Sequence, residues 1–374
     1  MVSIKEISWI RELTKPEREH GLTHTFYSYP AKFLSKLPRA LIKHYTNEGE
    51  LILDPFVGGG TTGVEAMVLN RRFIGYDPNP FAIFISKVKT TFIDPFELKS
   101  SLNMILARMN NLKEPVNEYL EEDDKYCLGS RMAQDINSLA TILTKLKEES
   151  PAIQNFFQLA LIHSIKIVGR RDFEIRDNWK NASIIPIFIR KTRKMINQII
   201  SLPKHTKFTP EFIQSSNHSM ELNDDSVDLI ITSPPYKDKD IEYQQIQIQR
   251  RSLQRSRRSD IVSSLLNVTP LSKKELCWTG KNGMNYWENC EKSLQECYRV
   301  LKPEKLAFFW TGFKSSFDCE KFKTLLNEIG FHLFTAIRVT LGNDRAASGR
   351  STHHGRKTGM MSYDFLFITQ KNKN

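Results

Sequence analysis

The stretch ELILDPFVGGGTTGVEAMVLNRRFIGYDPNP, residues 50–80, decides the fold of this chain. Its apolar runs at 51–53 and 73–76 are separated by a glycine-rich turn and a segment of helix length. Strand, turn, helix and strand in this order open a doubly wound α/β sheet. Later apolar runs in SVDLIITSPPY, residues 226–236, and LKPEKLAFFW, residues 301–310, are typical of strands covered on both faces. The predicted fold class is therefore α/β, with a mostly parallel, Rossmann-like sheet.

This sheet is predicted to be interrupted after its second strand. Between residues 92 and 207, apolar side chains such as Leu98 and Leu102 recur at helical spacing, which predicts a helical insertion. Near the end of the chain, FHLFTAIRVTL and SYDFLFIT are expected to form an antiparallel pair that closes the sheet. The predicted parts are thus 1–91 and 208–374 for the core and 92–207 for the insertion.

The charge of the chain favours a polyanionic partner. Lys and Arg number 54 against 42 Asp and Glu, a formal net charge of +12. Because neutralising phosphates releases counterions, nucleic acid is the first candidate. The five cysteines lack zinc-ligand spacing, so no metal site is predicted. The N-terminal stretch lacks an apolar signal region and no apolar run reaches about 18 residues, which predicts a cytoplasmic protein without membrane contact.

Residues 54–62, DPFVGGGTT, have the features of a nucleoside site. An acid ends the strand, and three glycines let the backbone approach a ligand without a Cβ in the way. Asp77 follows Gly58 by 19 residues, the spacing at which a carboxylate reaches the hydroxyls of a ribose above the turn. The pattern is not G-x-G-x-x-G and no lysine follows the glycines, so a nucleoside without a pyrophosphate is favoured. The alternative is a purely structural turn with Asp77 as a helix cap.

A second candidate site follows the strand VDLIIT. The sequence Ser233-Pro234-Pro235-Tyr236 places two prolines where the chain leaves the sheet, which holds nearby carbonyl oxygens rigidly. A nucleobase amino group is a poor nucleophile, because its lone pair is conjugated with the ring. Hydrogen bonds from its protons to Ser233 Oγ and a proline-turn carbonyl favour a more tetrahedral nitrogen, while Tyr236 is predicted to stack on a base rotated out of the duplex. The alternative is a rigid turn with an exposed aromatic side chain.

Together, DPFVGGGTT and TSPPY resemble motifs I and IV of the amino-methylating DNA methyltransferases. The serine before the prolines resembles the N4-cytosine subgroup. Asp77 matches the acid of motif II, and FYSYPAKFLSKLP, residues 26–38, resembles motif X, which in the family packs over the methionine end of the cofactor. The resemblance implies a class I methyltransferase fold, S-adenosylmethionine as the cofactor, double-stranded DNA as the substrate and a catalytic Ser233-Pro234-Pro235-Tyr236 loop.

Carried over residue by residue, the resemblance also implies a set of cofactor contacts. They are Tyr29, Lys32, Asp54, Pro55, Phe56, Gly58, Gly60, Thr61, Thr62, Asp77, Asn79 and Ser216. Two positions depart from the family pattern. The third strand lacks the usual acid and offers Ser216 and Asn217 instead, which puts one contact in doubt. Gly59 stands where a serine or other small residue is common, and this change is expected to be harmless.

The segment 237–285 is predicted to contact DNA through its basic run RRSLQRSRR, residues 250–258. Its arginines are expected to grip phosphates or to contact guanine edges, as a helix or loop beside the pocket. They are Arg250, Arg251, Arg255, Arg257 and Arg258. One alternative is a solvated basic face. Another is recognition by the insertion, through the basic clusters at 170–171 and 190–194.

The resemblance favours direct methylation of cytosine N4 by a restriction-modification enzyme, with a cognate restriction endonuclease as a possible partner. N6-adenine methylation is the nearest alternative, because both reactions use the same kind of pocket. Methylation of an RNA or protein amine, and a non-catalytic DNA-binding specificity subunit, are alternatives of other classes. Methylation of cytosine C5 is disfavoured, since it requires a thiolate, usually in a Pro-Cys context that this sequence lacks. Neither the recognition sequence nor the oligomeric state is predicted.

Overall fold

The computed structural model describes residues 3–15, 21–29, 34–111, 115–147, 150–169, 182–237, 246–250, 255–269, 286–313, 315–339 and 363–373. Strands in these ranges form one large sheet and one hairpin. They are β1 (Leu51–Asp54), β2 (Arg72–Tyr76), β3 (Glu211–Ile213), β4 (Val227–Thr232), β5 (Ile246–Arg250), β6 (Arg255–Ser259), β7 (Leu301–Phe313), β8 (Phe331–Val339) and β9 (Tyr363–Lys371).

The large sheet has seven strands in the order β3-β2-β1-β4-β7-β9-β8. The five strands from β3 to β7 are parallel, whereas β9 runs antiparallel to β7 and β8. The predicted mostly parallel sheet with an antiparallel C-terminal pair is therefore confirmed. The order reverses between β1 and β4, so the loops after these two strands flank the crevice where ligands bind in open α/β sheets.

Helices cover both faces of the sheet and form the insertion. They are α1 (Ile4–Leu13), α2 (Lys36–Tyr45), α3 (Thr61–Val68), α4 (Pro80–Thr90), α5 (Pro95–Asn110), α6 (Glu122–Leu128), α7 (Ser130–Lys145), α8 (Pro151–Gly169), α9 (Ile185–Ile199), α10 (Ile261–Leu266), α11 (Tyr286–Val300) and α12 (Ser316–Ile329). Helices α5 to α9 lie between β2 and β3 in sequence, as predicted. Within the described ranges, none of the helices combines the length and apolarity that crossing a membrane requires.

Two helices begin with the same capping device. Asn79 accepts a hydrogen bond from the Phe81 amide at 2.9 Å, and Asp94 accepts one from the Phe96 amide at 2.7 Å. In each helix a proline follows the capping residue, at a position where the missing N–H would have had no partner. The sequence therefore sets where α4 and α5 begin. Helix α4 begins beside the glycine turn, which is the loop at residues 58–60 between β1 and α3.

Alternation along the strands divides the core between the two sheet faces. In β4, Leu229 and Ile231 pack with α1 and α2 residues, while Ile230 packs on the opposite face with residues of α11 and α12. All six residues of this strand are buried, as expected for a strand covered on both sides. A third apolar cluster fills the insertion and reaches the segment 21–29.

The basic segment is folded against the insertion. Strands β5 and β6 form an antiparallel hairpin, and not the helix or loop expected from the sequence. Ser259, at the end of β6, donates its hydroxyl to Asp124 of α6 at 2.7 Å, and Gln158 of α8 donates to the Leu265 carbonyl of α10 at 3.2 Å. Helices α5 to α10 and the hairpin therefore pack together, although β3 and β4 of the large sheet lie between α9 and the hairpin in sequence.

Candidate active site between the first and fourth strands

The buried carboxylate of Asp54 joins the two loops at the crevice. Its Oδ1 accepts the Thr232 hydroxyl at 2.6 Å, and its Oδ2 accepts the Thr62 hydroxyl at 2.8 Å. Thr232 immediately precedes Ser233, while Thr62 lies in the first turn of α3. Burial raises the pKa of Asp54 to about 6, although these bonds and one from the Phe56 amide lower it. Asp54 is 1% exposed, so its role is to hold the glycine turn in place through these hydrogen bonds.

The glycine turn requires its glycines for both conformation and space. Gly58 and Gly60 have φ of +47° and +72°, in the left-handed region that disfavours other residues. A Cβ on Gly60 would lie 2.6 Å from Ser86 Oγ of α4. A Cβ on Gly59 would lie 2.9 Å from the Cβ of Tyr29, so glycine at this departure from the family pattern makes room for the tyrosine.

Asp77 lies directly above this turn, after β2. Its Oδ2 accepts the Gly58 amide and its Oδ1 accepts the Asn79 amide, both at 2.9 Å. Each carboxylate oxygen keeps acceptor capacity, and the side chain is partly exposed. The Asn79 side chain donates to the Tyr29 hydroxyl at 3.1 Å. The structure thus brings Gly58, Asp77, Asn79 and Tyr29 together at the glycine turn.

The proline loop after β4 is fixed by two hydrogen bonds to neighbouring elements. Ser233 donates its hydroxyl to the Trp310 carbonyl of β7 at 2.8 Å. Because the proton is used in this bond, the lone pairs of Ser233 Oγ remain as acceptors. Tyr286, the first residue of α11, donates its hydroxyl to the Pro235 carbonyl at 3.0 Å. Pro234 between them is buried, so contacts within the chain hold the loop in place.

Tyr236 is anchored beneath this loop. Its hydroxyl donates to Asp364 Oδ2 at 2.9 Å, and the same oxygen accepts the Trp310 indole N–H at 3.3 Å. A Cβ on Gly312 would lie 2.8 Å from the Tyr236 ring and 2.6 Å from Asp364 Oδ1. The ring is 8% exposed, so the alternative of a freely exposed aromatic side chain is wrong. Its predicted stacking on a base stays a prediction.

The other predicted cofactor residues occupy different environments. Pro55 and Thr61 are buried in the turn, while Phe56 is partly exposed. Ser216 is exposed, and its hydroxyl accepts the amide of the nearby His218. The neighbouring Asn217 is buried and donates to the Pro55 carbonyl at 2.8 Å. Asn217 therefore holds the loop after β3 against the glycine turn.

Some predicted residues lie outside the described residues. These are Lys32 and Arg251, together with the side chains of Arg250, Arg255, Arg257 and Arg258, whose backbone forms β5 and β6. Residues that sequence reasoning missed are Thr232 and Asp364. Thr232 gives a local signal, since it is the hydroxyl residue that ends β4. Asp364 gives none, because it lies 128 positions from Tyr236.

The described residues fit the nucleoside ligand expected here. Asp77 offers acceptors for ribose hydroxyls, and the left-handed glycines leave the turn without side chains. The Thr61 hydroxyl is buried and has no hydrogen-bond partner among the described residues. A buried hydroxyl without a partner is costly, so a bound polar ligand is a reason for its retention. Within the same ranges, no cluster of three His, Cys, Asp or Glu is placed to hold a metal ion.

Cofactor binding is expected to strengthen as pH rises through about 7. Burial raises the pKa of Asp77 to about 7, although amide hydrogen bonds from Asn79 and Gly58 lower it. The ionised carboxylate is the stronger acceptor, and about one in ten is ionised one pH unit below the pKa. The dissociation constant for S-adenosylmethionine, measured by calorimetry, is therefore expected to fall about tenfold between pH 6 and pH 8. Asp77→Asn is expected to remove this dependence, and a flat wild-type profile would contradict it.

Two relatives show how far the likeness extends. The type II methyltransferase M.MvaI of Kocuria varians is 21% identical over 361 residues, covering 77% of this chain and 76% of its own length. The type II methyltransferase M.MjaII of Methanocaldococcus jannaschii is 34% identical over 115 residues, 30% of this chain and 22% of its own. The first likeness is low but long, and the second is higher but confined to a short part of both chains.

A solved SAM-dependent methyltransferase of Methanosarcina mazei is 11% identical, with a TM-score of 0.35, covering 89% of this chain and 98% of that one. The DNA methylase family model, which spans N6 and N4 enzymes, matches residues 3–88 and 227–374. These residues include the glycine turn, Asp77 and the proline loop, and they omit the helical insertion. The chain belongs to this family of S-adenosylmethionine-dependent DNA methylases.

Proposed function

We propose that the protein methylates the N4 amino group of cytosine at a specific site in double-stranded DNA. The observation that carries this proposal is the arrangement of Ser233. Its proton is held by the Trp310 carbonyl at 2.8 Å, so its oxygen presents acceptor lone pairs. An amino group carries protons that require such acceptors. The serine before the two prolines, which resembles the N4-cytosine subgroup, is the feature that favours cytosine over adenine.

When bound, S-adenosylmethionine supplies a methyl group activated by the positive charge on its sulfur. The chain therefore has to position the target nitrogen, and needs no covalent nucleophile. Ser233 Oγ accepts a hydrogen bond from one proton of the amino group, and a carbonyl of the proline loop accepts a hydrogen bond from the other. Through Thr232 and Thr62, Asp54 keeps this loop in register with the glycine turn. These contacts support preorganisation of the site before DNA binds.

The target base must leave the duplex to reach this site. Tyr236 is proposed to form an aromatic wall of the pocket for the rotated base. Its ring is held by Asp364 and by close packing over Gly312, so it is placed without loss of conformational entropy on binding. Stacking on an aromatic side chain contributes on the order of 1 to 3 kcal/mol, which offsets part of the unstacking cost.

The hairpin is the proposed DNA-contacting element. Cross-strand pairing places Arg250 opposite Arg255, and Arg258 opposite Gln247. Ser259, the last residue of β6, binds the insertion through Asp124. A basic hairpin carried by a rigid helical unit is suited to phosphate contacts, with base contacts to give sequence preference.

Replacing the three arginines of β6 by glutamine is expected to weaken the salt dependence of DNA binding. The slope of log affinity against log salt is negative, and each lost phosphate contact lowers its magnitude by about 0.9, so the loss of three contacts lowers the magnitude by about 2.7. The measurement is fluorescence anisotropy of labelled duplex at several salt concentrations. The control is a triple variant of three exposed basic residues of α9, Arg190→Gln, Arg193→Gln and Lys194→Gln. A larger loss in the α9 triple would assign phosphate binding to the insertion instead.

The target atom is identified by digesting methylated duplex DNA to nucleosides and separating them by mass spectrometry. We expect N4-methylcytosine. N6-methyladenine alone would contradict the cytosine assignment while leaving the amino-group chemistry intact. Ser233→Ala is expected to lower the yield, because the acceptor oxygen is removed, and Ser315→Ala, at the cap of α12, is the matched control. Resistance of the product to a restriction endonuclease of the same site would identify the proposed partner.

A further inference from the structure

We propose that the helical insertion secures the cofactor site, through two buried lysines that hold the segment 21–29 over the glycine turn. This role is additional to any part that the insertion plays in DNA recognition. It rests on S-adenosylmethionine as the cofactor and is independent of which base is methylated. Lys166 of α8 and Lys191 of α9 are the positioning residues.

The insertion binds three backbone carbonyls of this segment. Lys191 donates its ammonium to the Thr25 carbonyl at 2.8 Å, and Lys166 donates to the Ser28 carbonyl. Between them, His163 of α8 contacts the Phe26 carbonyl through Nδ1 at 2.7 Å.

Side-chain contacts reinforce this attachment. The Thr25 hydroxyl donates to the Gln198 side chain of α9 at 2.8 Å. The Tyr27 ring lies under the Lys166 ammonium, 4.3 Å from its centroid, and packs edge-on against His163. The segment is thus held along most of its length by two helices of the insertion.

Burial makes these two lysines unlike ordinary surface charges. Lys166 is 8% exposed and Lys191 is 6% exposed, whereas Lys194, one turn further along α9, is exposed. A buried ammonium is costly unless it is hydrogen-bonded, so both side chains are committed to the carbonyls that they contact. The segment lies outside the helices and strands, so its carbonyls have no partners in regular secondary structure. The hydrogen bonds from the insertion satisfy them.

The other side of the same segment forms the cofactor site. Tyr29 lies over the glycine turn, with its ring carbon Cε1 3.2 Å from where a Gly58 Cβ would stand, and its hydroxyl meets Asn79. His24 contacts the buried Glu65 of α3 at 2.6 Å. The segment therefore connects the insertion to the turn and the helix that the cofactor is expected to contact. If the hydrogen bonds from the insertion to the carbonyls of this segment are lost, we expect the segment to shift and Tyr29 to leave its position over the glycine turn.

The test is calorimetric binding of S-adenosylmethionine, without DNA, to the full chain and to Lys191→Met. We expect the dissociation constant to rise about tenfold, as loss of one charged hydrogen bond and of preorganisation predicts. Lys194→Met, on the same helix but exposed, is expected to leave it unchanged. In steady-state assays, KM for the cofactor is expected to rise while kcat at saturating cofactor stays near wild type, a split that general destabilisation would not give.

Circular dichroism and a thermal melt first establish that each variant is folded. Lys166→Met is the second variant, so the test does not depend on the folding of Lys191→Met alone. It is expected to weaken cofactor binding in the same direction, because it removes both the Ser28 contact and the cation over Tyr27. Unchanged cofactor affinity in the folded variants would overturn the proposal. Because this readout needs no DNA, its failure is distinguishable from a failure to methylate cytosine.

Discussion

Asp77→Ala is expected to weaken S-adenosylmethionine binding about 100-fold. The side chain offers acceptors for ribose hydroxyls, and hydrogen bonds to a charged group contribute about 1.5 to 3 kcal/mol each. It also fixes the Gly58 amide at 2.9 Å, so its loss releases the glycine turn itself. A total of about 3 kcal/mol corresponds to roughly 100-fold in affinity.

Calorimetry at pH 8 measures this effect, with Asp94→Ala as the matched control. Asp94 and Asp77 each accept the amide of the residue two positions on. Asp94 caps α5 in the insertion, so its replacement removes a similar backbone bond away from the proposed cofactor site. We expect near wild-type affinity for the control. If Asp77→Ala binds S-adenosylmethionine with a dissociation constant within about threefold of wild type, Asp77 does not bind the ribose hydroxyls.

The second large effect is expected in Tyr236→Ala, which should slow methyl transfer about 100-fold while cofactor binding is retained. Loss of base stacking accounts for about 1 to 3 kcal/mol of this effect. The ring is also buried, so removing it leaves a cavity and is expected to cost about 3 kcal/mol of stability. Tyr236→Phe keeps the ring and loses only the bond to Asp364, so a much smaller decrease in rate is expected.

Single-turnover transfer to duplex DNA, with cofactor and DNA both saturating, separates these contributions. The assay temperature is set well below the melting temperature of Tyr236→Ala, so that unfolding does not contribute. Asp364→Asn is expected to resemble Tyr236→Phe, because it weakens the same anchor. Wild-type transfer rates in a folded Tyr236→Ala protein would show that the ring does not contact the target base.

The central strands β1, β2, β4 and β7 were predictable because each contains a nearly continuous apolar run, and because glycines follow β1 and prolines follow β4. The pattern around Asp54 and Ser233 placed both loops at carboxyl ends of strands, and the parallel order brings these ends together. The insertion was predictable because its apolar side chains recur at helical spacing. Its packing with the β5–β6 hairpin was not, because a basic, polar run carries no apolar pattern that names its partner.

Parts of the site depend on contacts between distant residues. Asp364 anchors Tyr236 across 128 positions, and Lys191 holds Thr25 across 166. In the sequence, Lys191 is one of a basic cluster typical of a solvated face, and only the fold shows that it is buried. Asn217 and Ser216 are adjacent and similarly polar, yet Asn217 is the one that turns inward. Periodicity and motifs do not encode such differences.

The most direct test of the central claim is transfer of tritium from methyl-labelled S-adenosylmethionine to duplex DNA, with tRNA and a protein extract as parallel acceptors. We expect label in duplex DNA, with strong reduction in Asp77→Ala and Tyr236→Ala and none in tRNA or protein. Label in tRNA or protein, with none in DNA despite measurable cofactor binding, would contradict the assignment of DNA as the substrate.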